Sequence, residues 1–177
     1  MEWRDALEFW RWSNTSLGAF HLWVAVAALA IGPLVFFRRK GDIAHRLLGF
    51  AYVVAMATTN LSALSLYEFT GGPNYFHLFA IFSLLTVSVG VIGIIFYAVK
   101  KSPLALDLHL QMMSWSYFGL VLAAIAEAGT RGLPRLFDGA DNFWTPFFIF
   151  LSVFGAIGGV FTAALIRPVR KRWLQKP

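Results

Sequence analysis

The chain is 177 residues long, 58% hydrophobic and only 14% charged, with a net charge of +6. A soluble domain carries about a quarter charged residues, so this composition describes an integral membrane protein. With no cysteine in the chain, disulfides, thiolate ligands and haem thioether attachment are excluded.

Residues 1–14 hold Trp3, Leu7 and Trp10 at helical spacing, with Arg4, Asp5, Glu8 and Arg11 elsewhere. They predict a short amphipathic helix lying in the membrane interface. No basic stretch leads directly into an apolar run there, so no cleavable signal peptide is expected. Ser13 or Asn14 can cap the helix that follows. Five apolar runs come next: Leu17–Phe37, His45–Leu66, Tyr75–Val99, Asp107–Ala128 and Trp144–Ile166. Each approaches the roughly 20 residues that a bilayer core requires. Lipid offers the backbone no hydrogen-bond partner, so the runs are expected as helices. The loop 69–74 holds Gly71, Gly72 and Pro73 and predicts a tight turn. The loop 129–143 is the longest, a surface segment with room for a partner contact.

The sequence therefore predicts one all-α membrane domain over residues 1–177. Its five transmembrane helices form a four-helix antiparallel core bundle with a peripheral fifth. Arg38, Arg39, Lys40, Arg46, Lys100, Lys101 and the C-terminal Arg167, Arg170, Lys171, Arg172 and Lys176 cluster on one side. Glu2, Asp5, Glu8, Glu68, Glu127, Asp138 and Asp141 fall on the other. The basic residues thus report topology rather than a nucleic-acid partner. The positive-inside rule places the N-terminus outside and the C-terminus in the cytoplasm. In the fifth run Gly155 and Gly159 make a GxxxG pair, which permits close helix approach. Ser83, Thr86, Gly90 and Gly93 make a small-residue stripe on the third, roughly opposite His77. The simplest docking sets the fifth helix against that stripe.

Polar groups inside a membrane are functional candidates. The chain has four histidines, one at or near the start of each of the first four runs: His21, His45, His77 and His109. Alternating helix direction sorts them into an outer pair, His21 with His77, and an inner pair, His45 with His109. The two layers lie about 20–25 Å apart at 1.5 Å per residue. Within each layer the pair sits on diagonal helices of an up-down bundle. Gly18, Ala25, Ala28 and Gly32 share the face of His21 and leave a strip of small side chains for a planar group or another helix. Gly49, Tyr52, Met56 and Thr59 or Asn60 follow His45 in register. Met113, Ser116, Leu120, Ala123 and Glu127 follow His109, and five turns carry Glu127 to the outer level. Arg46, with Arg38 and Arg39, could pair with haem propionates on the inner side, and Arg11 or Arg131 on the outer. Each of these also has a structural reading: interfacial histidine, snorkelling arginine, packed methionine. No Ser–His–Asp set, HExxH motif or phosphate-binding glycine loop is evident.

His21, the Gly32-Pro33 pair, the run His45-Arg46-Leu47-Leu48-Gly49 with Tyr52 and Met56, and the run His109…Met113…Ser116-Tyr117 resemble an uncharacterised family of bacterial membrane proteins, a domain of unknown function. The resemblance extends from about residue 18 to 166 and implies no activity. The pairing of first with third and second with fourth helix is also similar to di-haem transmembrane cytochromes b of the ascorbate-reducible type. That similarity implies two b haems, one on His21 and His77 and one on His45 and His109. It departs in having five helices rather than six and no basic ascorbate-binding motif.

Three functions are open at this point. The first is a small di-haem electron carrier, with Arg46 and Tyr52 beside its cofactors. The second is a non-haem iron or zinc site on His21, His77 and Glu127, since two histidines and a carboxylate suit those metals. The third is a non-catalytic subunit of a larger membrane complex, contacting a partner through the Gly155/Gly159 helix or the long outer loop.

Overall fold

A computed structural model describes residues 13, 15–67 and 71–136, together with 152–153, 155–156, 158–160 and 164. Residues 1–12, the segment 137–151 and the C-terminal tail lie outside that set, and with them the expected interfacial helix. Four helices stand in order: α1 Ser16–Phe37, α2 Ile43–Leu64, α3 Tyr75–Lys100 and α4 Pro103–Leu136. All four are long and apolar enough to cross a membrane. No strand occurs among the described residues, and the described positions between 152 and 164 are helical.

The helix ends differ from expectation in four places. Thr15, rather than Ser13 or Asn14, caps α1, its side chain accepting from the Gly18 N–H at 3.1 Å. Asp42 caps α2 by accepting from the His45 N–H at 2.6 Å, so the helix begins two residues before His45. Helix α4 starts at Pro103, whose missing N–H costs nothing in the first turn. It also runs through Gly129 and Pro134 to Leu136, into the segment expected as a loop. Glycine is common in membrane helices and does not by itself end one.

Each helix packs on the next, and α4 closes the ring against α1. Neighbours run antiparallel, since the start of α1 meets the ends of α2 and α4: His21 reaches Thr59, Ser62 and Glu127. Ala28, Tyr52, Ala55, Met56, Val87 and Leu120 form the buried centre. Lipid is as apolar as leucine, so close packing and interhelical hydrogen bonds hold such a bundle together. Two devices supply both. A Cβ at Gly32 would overlap the Tyr117 ring, so only glycine admits that ring against α1. One residue on, Pro33 has no N–H to give the Leu29 carbonyl, and the Tyr117 hydroxyl donates to that carbonyl at 3.3 Å. The Gly32-Pro33 pair is thus a socket for Tyr117. At the same depth the Tyr52 hydroxyl and Ser116 Oγ share a hydrogen bond of 3.1 Å across the diagonal from α2 to α4.

Gly90 and Gly93 of the α3 stripe meet α4, while Ser83 accepts from Asn60 of α2 at 3.0 Å. A Cβ at Gly90 would press on Met113, and one at Gly93 would meet the backbone of Ala105 and His109. Gly155, Gly158 and Gly159 sit instead against Leu122, Phe118 and Trp115 of α4. The physical reason is that α3 and α4 are joined by a tight turn and run side by side, so the closest backbone approach falls between them.

Candidate functional site

Each of the four histidines makes a hydrogen bond at Nδ1, and three donate it to a backbone carbonyl of a neighbouring helix. His21 Nδ1 lies 3.1 Å from the Thr59 carbonyl and 2.9 Å from Ser62 Oγ. A carbonyl only accepts, so Nδ1 carries a proton, and in the neutral ring Nε2 holds the lone pair. The Ser62 hydroxyl has its own carbonyls for its proton, Thr58 at 2.8 Å and Thr59 at 2.9 Å. His45 Nδ1 donates to the Val35 carbonyl at 3.3 Å, in the last turn of α1, where helix carbonyls lack an intrahelical partner. His109 Nδ1 donates to the Gly90 carbonyl at 2.8 Å. In all three the carbonyl holds a proton on Nδ1, so that in the neutral ring Nε2 is the nitrogen open to a metal, with the kind of outer hydrogen bond that orients such ligands.

His77 is held differently. It closes a capping box with Asn74: its Nδ1 lies 3.2 Å from the Asn74 N–H and 3.1 Å from Asn74 Oδ1. Those two partners require opposite protonation of Nδ1, so the local geometry accepts either tautomer. The ring stacks on Tyr67 with centroids 4.9 Å apart. It is buried, and its Nε2 has no hydrogen-bond partner among the described residues.

The two ends of the bundle differ in what surrounds the rings. At the His21 end, Nε2 of His21 lies 3.8 Å from Glu127 Oε2. Both residues line a cavity of about 740 Å³ bounded by all four helices, within the size range of small-molecule sites. Ala25, Thr59, Asn60, Ser83, Thr86 and Ser116 also face it. Thr59 Oγ1 is buried there with no partner among the described residues. Asn60 is committed to the Met56 carbonyl at 2.8 Å and Ser83 Oγ at 3.0 Å, tying α2 to α3. His77 is at the same end, but Asn74 and Ala80 on either side of it line the cavity and His77 does not.

At the His45 end, His45 and His109 are within electrostatic reach of each other and of Lys40. Lys40 Nζ donates to the Val35 and Phe36 carbonyls at 3.2 and 2.9 Å, and burial lowers its pKa from the ordinary lysine value. Arg46 is exposed and donates from Nε to the Gly41 carbonyl at 3.1 Å, bracing the turn before α2. Tyr52 is in the packed centre, its hydroxyl engaged by Ser116. No group of three or more histidine, aspartate or glutamate side chains disposed for a metal ion occurs among the described residues. The expected triad of His21, His77 and Glu127 is therefore not gathered: the structure joins the first and last only. The shared carbonyls of Thr59, Val35 and Gly90 were not legible in the sequence, because no side chain marks them.

A helical bundle with histidines at both ends and polar groups buried between defines a polytopic membrane protein. The chain belongs to the family described as "Predicted membrane protein (DUF2306)", which it matches over residues 18–166. No curated protein and no solved structure matches it.

Proposed function

We propose that this protein is a b-type electron carrier of the bacterial cytoplasmic membrane. One haem is held by His45 and His109 and a second by His21 and His77. The observation that carries the reading is the Nδ1 hydrogen bonding of His21, His45 and His109 to backbone carbonyls. It orients each ring and makes Nε2 the nitrogen available to a metal when the ring is neutral. The 740 Å³ cavity that His21 lines is within the size range of small-molecule sites, and His77, which does not line it, would have to turn toward it to serve as the second ligand. Haem would supply reversible one-electron chemistry, while the chain fixes three of the rings through their Nδ1 bonds and excludes water with the Tyr52–Met56–Leu120 centre.

The test is the absorption spectrum of full-length protein purified from haem-replete cells. A Soret band that shifts on dithionite reduction, with two haems per chain, is expected. A folded but colourless preparation would overturn the reading. The orientation, N-terminus outside, rests on the basic clusters. The chain has no native cysteine, so Gly72→Cys is expected to react with an impermeant thiol reagent in intact cells and Lys101→Cys to be protected.

A second reading has its own observation. A carboxylate oxygen 3.8 Å from His21 Nε2 occupies the side of the ring where a haem face would lie, so a haem there requires Glu127 to move. A small non-haem ion, iron or zinc, could bridge the two with little movement. Stoichiometric metal without haem, lost in Glu127→Gln, would favour this reading at the His21 end.

A further inference from the structure

The cavity at the His21 end joins an aromatic wall to a small group of hydrogen-bond acceptors. Phe79, Phe82, Trp115 and Phe118 line it. Phe79 and Phe82 are also 48% and 64% exposed, so the α3 wall of the cavity continues onto the outer face of the bundle. Among the described residues that line it, Glu127 is the one acid, and there is no lysine or arginine. Nε2 of His21 lies 3.8 Å from Glu127 Oε2. A charge-assisted N–H···O bond closes to roughly 2.7–2.9 Å, so the two stand about 1 Å too far apart for one. The His21 ring is held where it is by the Thr59 carbonyl and Ser62 hydroxyl at Nδ1. In the neutral ring Nε2 accepts, as a carboxylate does. Thr59 lines the same cavity, and its buried hydroxyl has no partner among the described residues. Rotation about χ1 would present that oxygen to the cavity as a third acceptor.

We propose that this cavity is a binding site for a membrane-soluble primary amine. A primary ammonium carries three donor hydrogens and no acceptor, which matches Glu127, His21 and Thr59 in number and in kind. A carboxylate accepts at about four positions, so Glu127 takes a further donor whatever else it binds. The cation meets an acid and no base among the described lining residues, and aromatic faces attract it as well. The apolar body of the amine lies along the aromatic wall and enters from the lipid side, beside Phe79 and Phe82. A volume of about 740 Å³ admits a molecule of drug-like size. An aminophospholipid headgroup fits less well, because no lysine or arginine among those residues meets its phosphate. Binding is non-covalent and moves no electron. The proposal is independent of the haem reading, and a haem on His21 would compete for the same space.

The experiment is binding of tritiated phenylbutylamine to the full chain in phosphatidylcholine nanodiscs, with empty discs subtracted and haem content measured on the same sample. Saturable binding of one amine per chain is expected. Phenylbutanol keeps the body and loses the charge, and the trimethylammonium analogue keeps the charge and loses the donors. Each should compete roughly tenfold more weakly than the unlabelled amine, as for a lost charge-assisted hydrogen bond. Glu127→Gln should weaken binding about tenfold or more and Thr59→Val about threefold, with both variants eluting as wild type does. Absence of saturable binding overturns the proposal. So does alcohol that competes as well as amine, or an affinity that ignores Glu127→Gln. Loss of binding in discs containing phosphatidylethanolamine also overturns it, assigning the site to a lipid headgroup. If Glu127→Gln fails to fold, the competition series on wild type decides alone. A chain with two haems that binds no amine overturns this proposal and leaves the di-haem reading standing. A colourless chain that binds the amine does the reverse.

Discussion

The two ends of this bundle use the same residue for the same local task and then diverge. His21 and His45 each tie α1 to α2 through a backbone carbonyl, one at the start of α1 and one at its finish. Around His21 the helices part into a cavity with a carboxylate and an orphan hydroxyl. Around His45 the charged groups are the Lys40 ammonium and the Asp42 carboxylate, and His109 lies within electrostatic reach. Between them the Tyr117 socket and the Tyr52–Ser116 bond close the centre. A helix–helix clamp and a metal ligand require the same Nδ1 bond, so the geometry of one imidazole does not separate the roles. The contents of the space beyond Nε2 do.

The comparison is broken most directly by removing one histidine from each end. His109→Ala is expected to lose one of two haems, halving the Soret absorbance per chain, and His21→Ala to lose the other. Equal loss of both haems in either variant would show that the ends are not independent. The centre comes next. Gly32→Val should force the Tyr117 ring out of its socket and cost about 1–3 kcal/mol of stability by overpacking, read as a lowered thermal unfolding midpoint in detergent. Tyr117→Phe keeps the ring but loses the hydrogen bond to Leu29, and should cost about 1 kcal/mol. Asn74→Ala removes the capping box that holds His77 and should also cost about 1 kcal/mol. If His77 is a ligand, haem content should fall with it. The smallest effect is expected at Thr59→Val. Deleting a buried hydroxyl that has no partner among the described residues should leave stability unchanged within about 0.5 kcal/mol or raise it. A loss of bound haem or metal in this variant would mean that the hydroxyl serves the cavity's occupant.

Much of this was readable along the chain. Hydropathy marked the four described spans, and the buried face of α1 carries Gly18, His21, Ala28 and Gly32, all on the strip expected to be small. The buried face of α2 carries Tyr52, Met56, Thr59 and Asn60 in the register that follows His45. The length of α4 was not readable, because Gly129, Gly132 and Pro134 are turn residues in water and tolerated helix residues in a bundle. The partner of the α3 stripe was not readable either: a strip of small residues says that something comes close, not what.

The division has one physical cause. Transfer into lipid depends on the composition of about 20 consecutive residues, and position on a helix face depends on spacing alone. The sequence by itself therefore determined the membrane class, the described spans and the shared face of His109 and Glu127. What each ring touches depends on how far a neighbouring helix is rotated and how near it stands. The tertiary structure alone decided that Tyr117 fills the Gly32-Pro33 socket, that Gly90 and Gly93 receive α4, and that Glu127 sits 3.8 Å from His21 while His77 turns to Asn74 and Tyr67. Those contacts join residues up to 106 positions apart, from His21 to Glu127, and no local rule of spacing reaches that far.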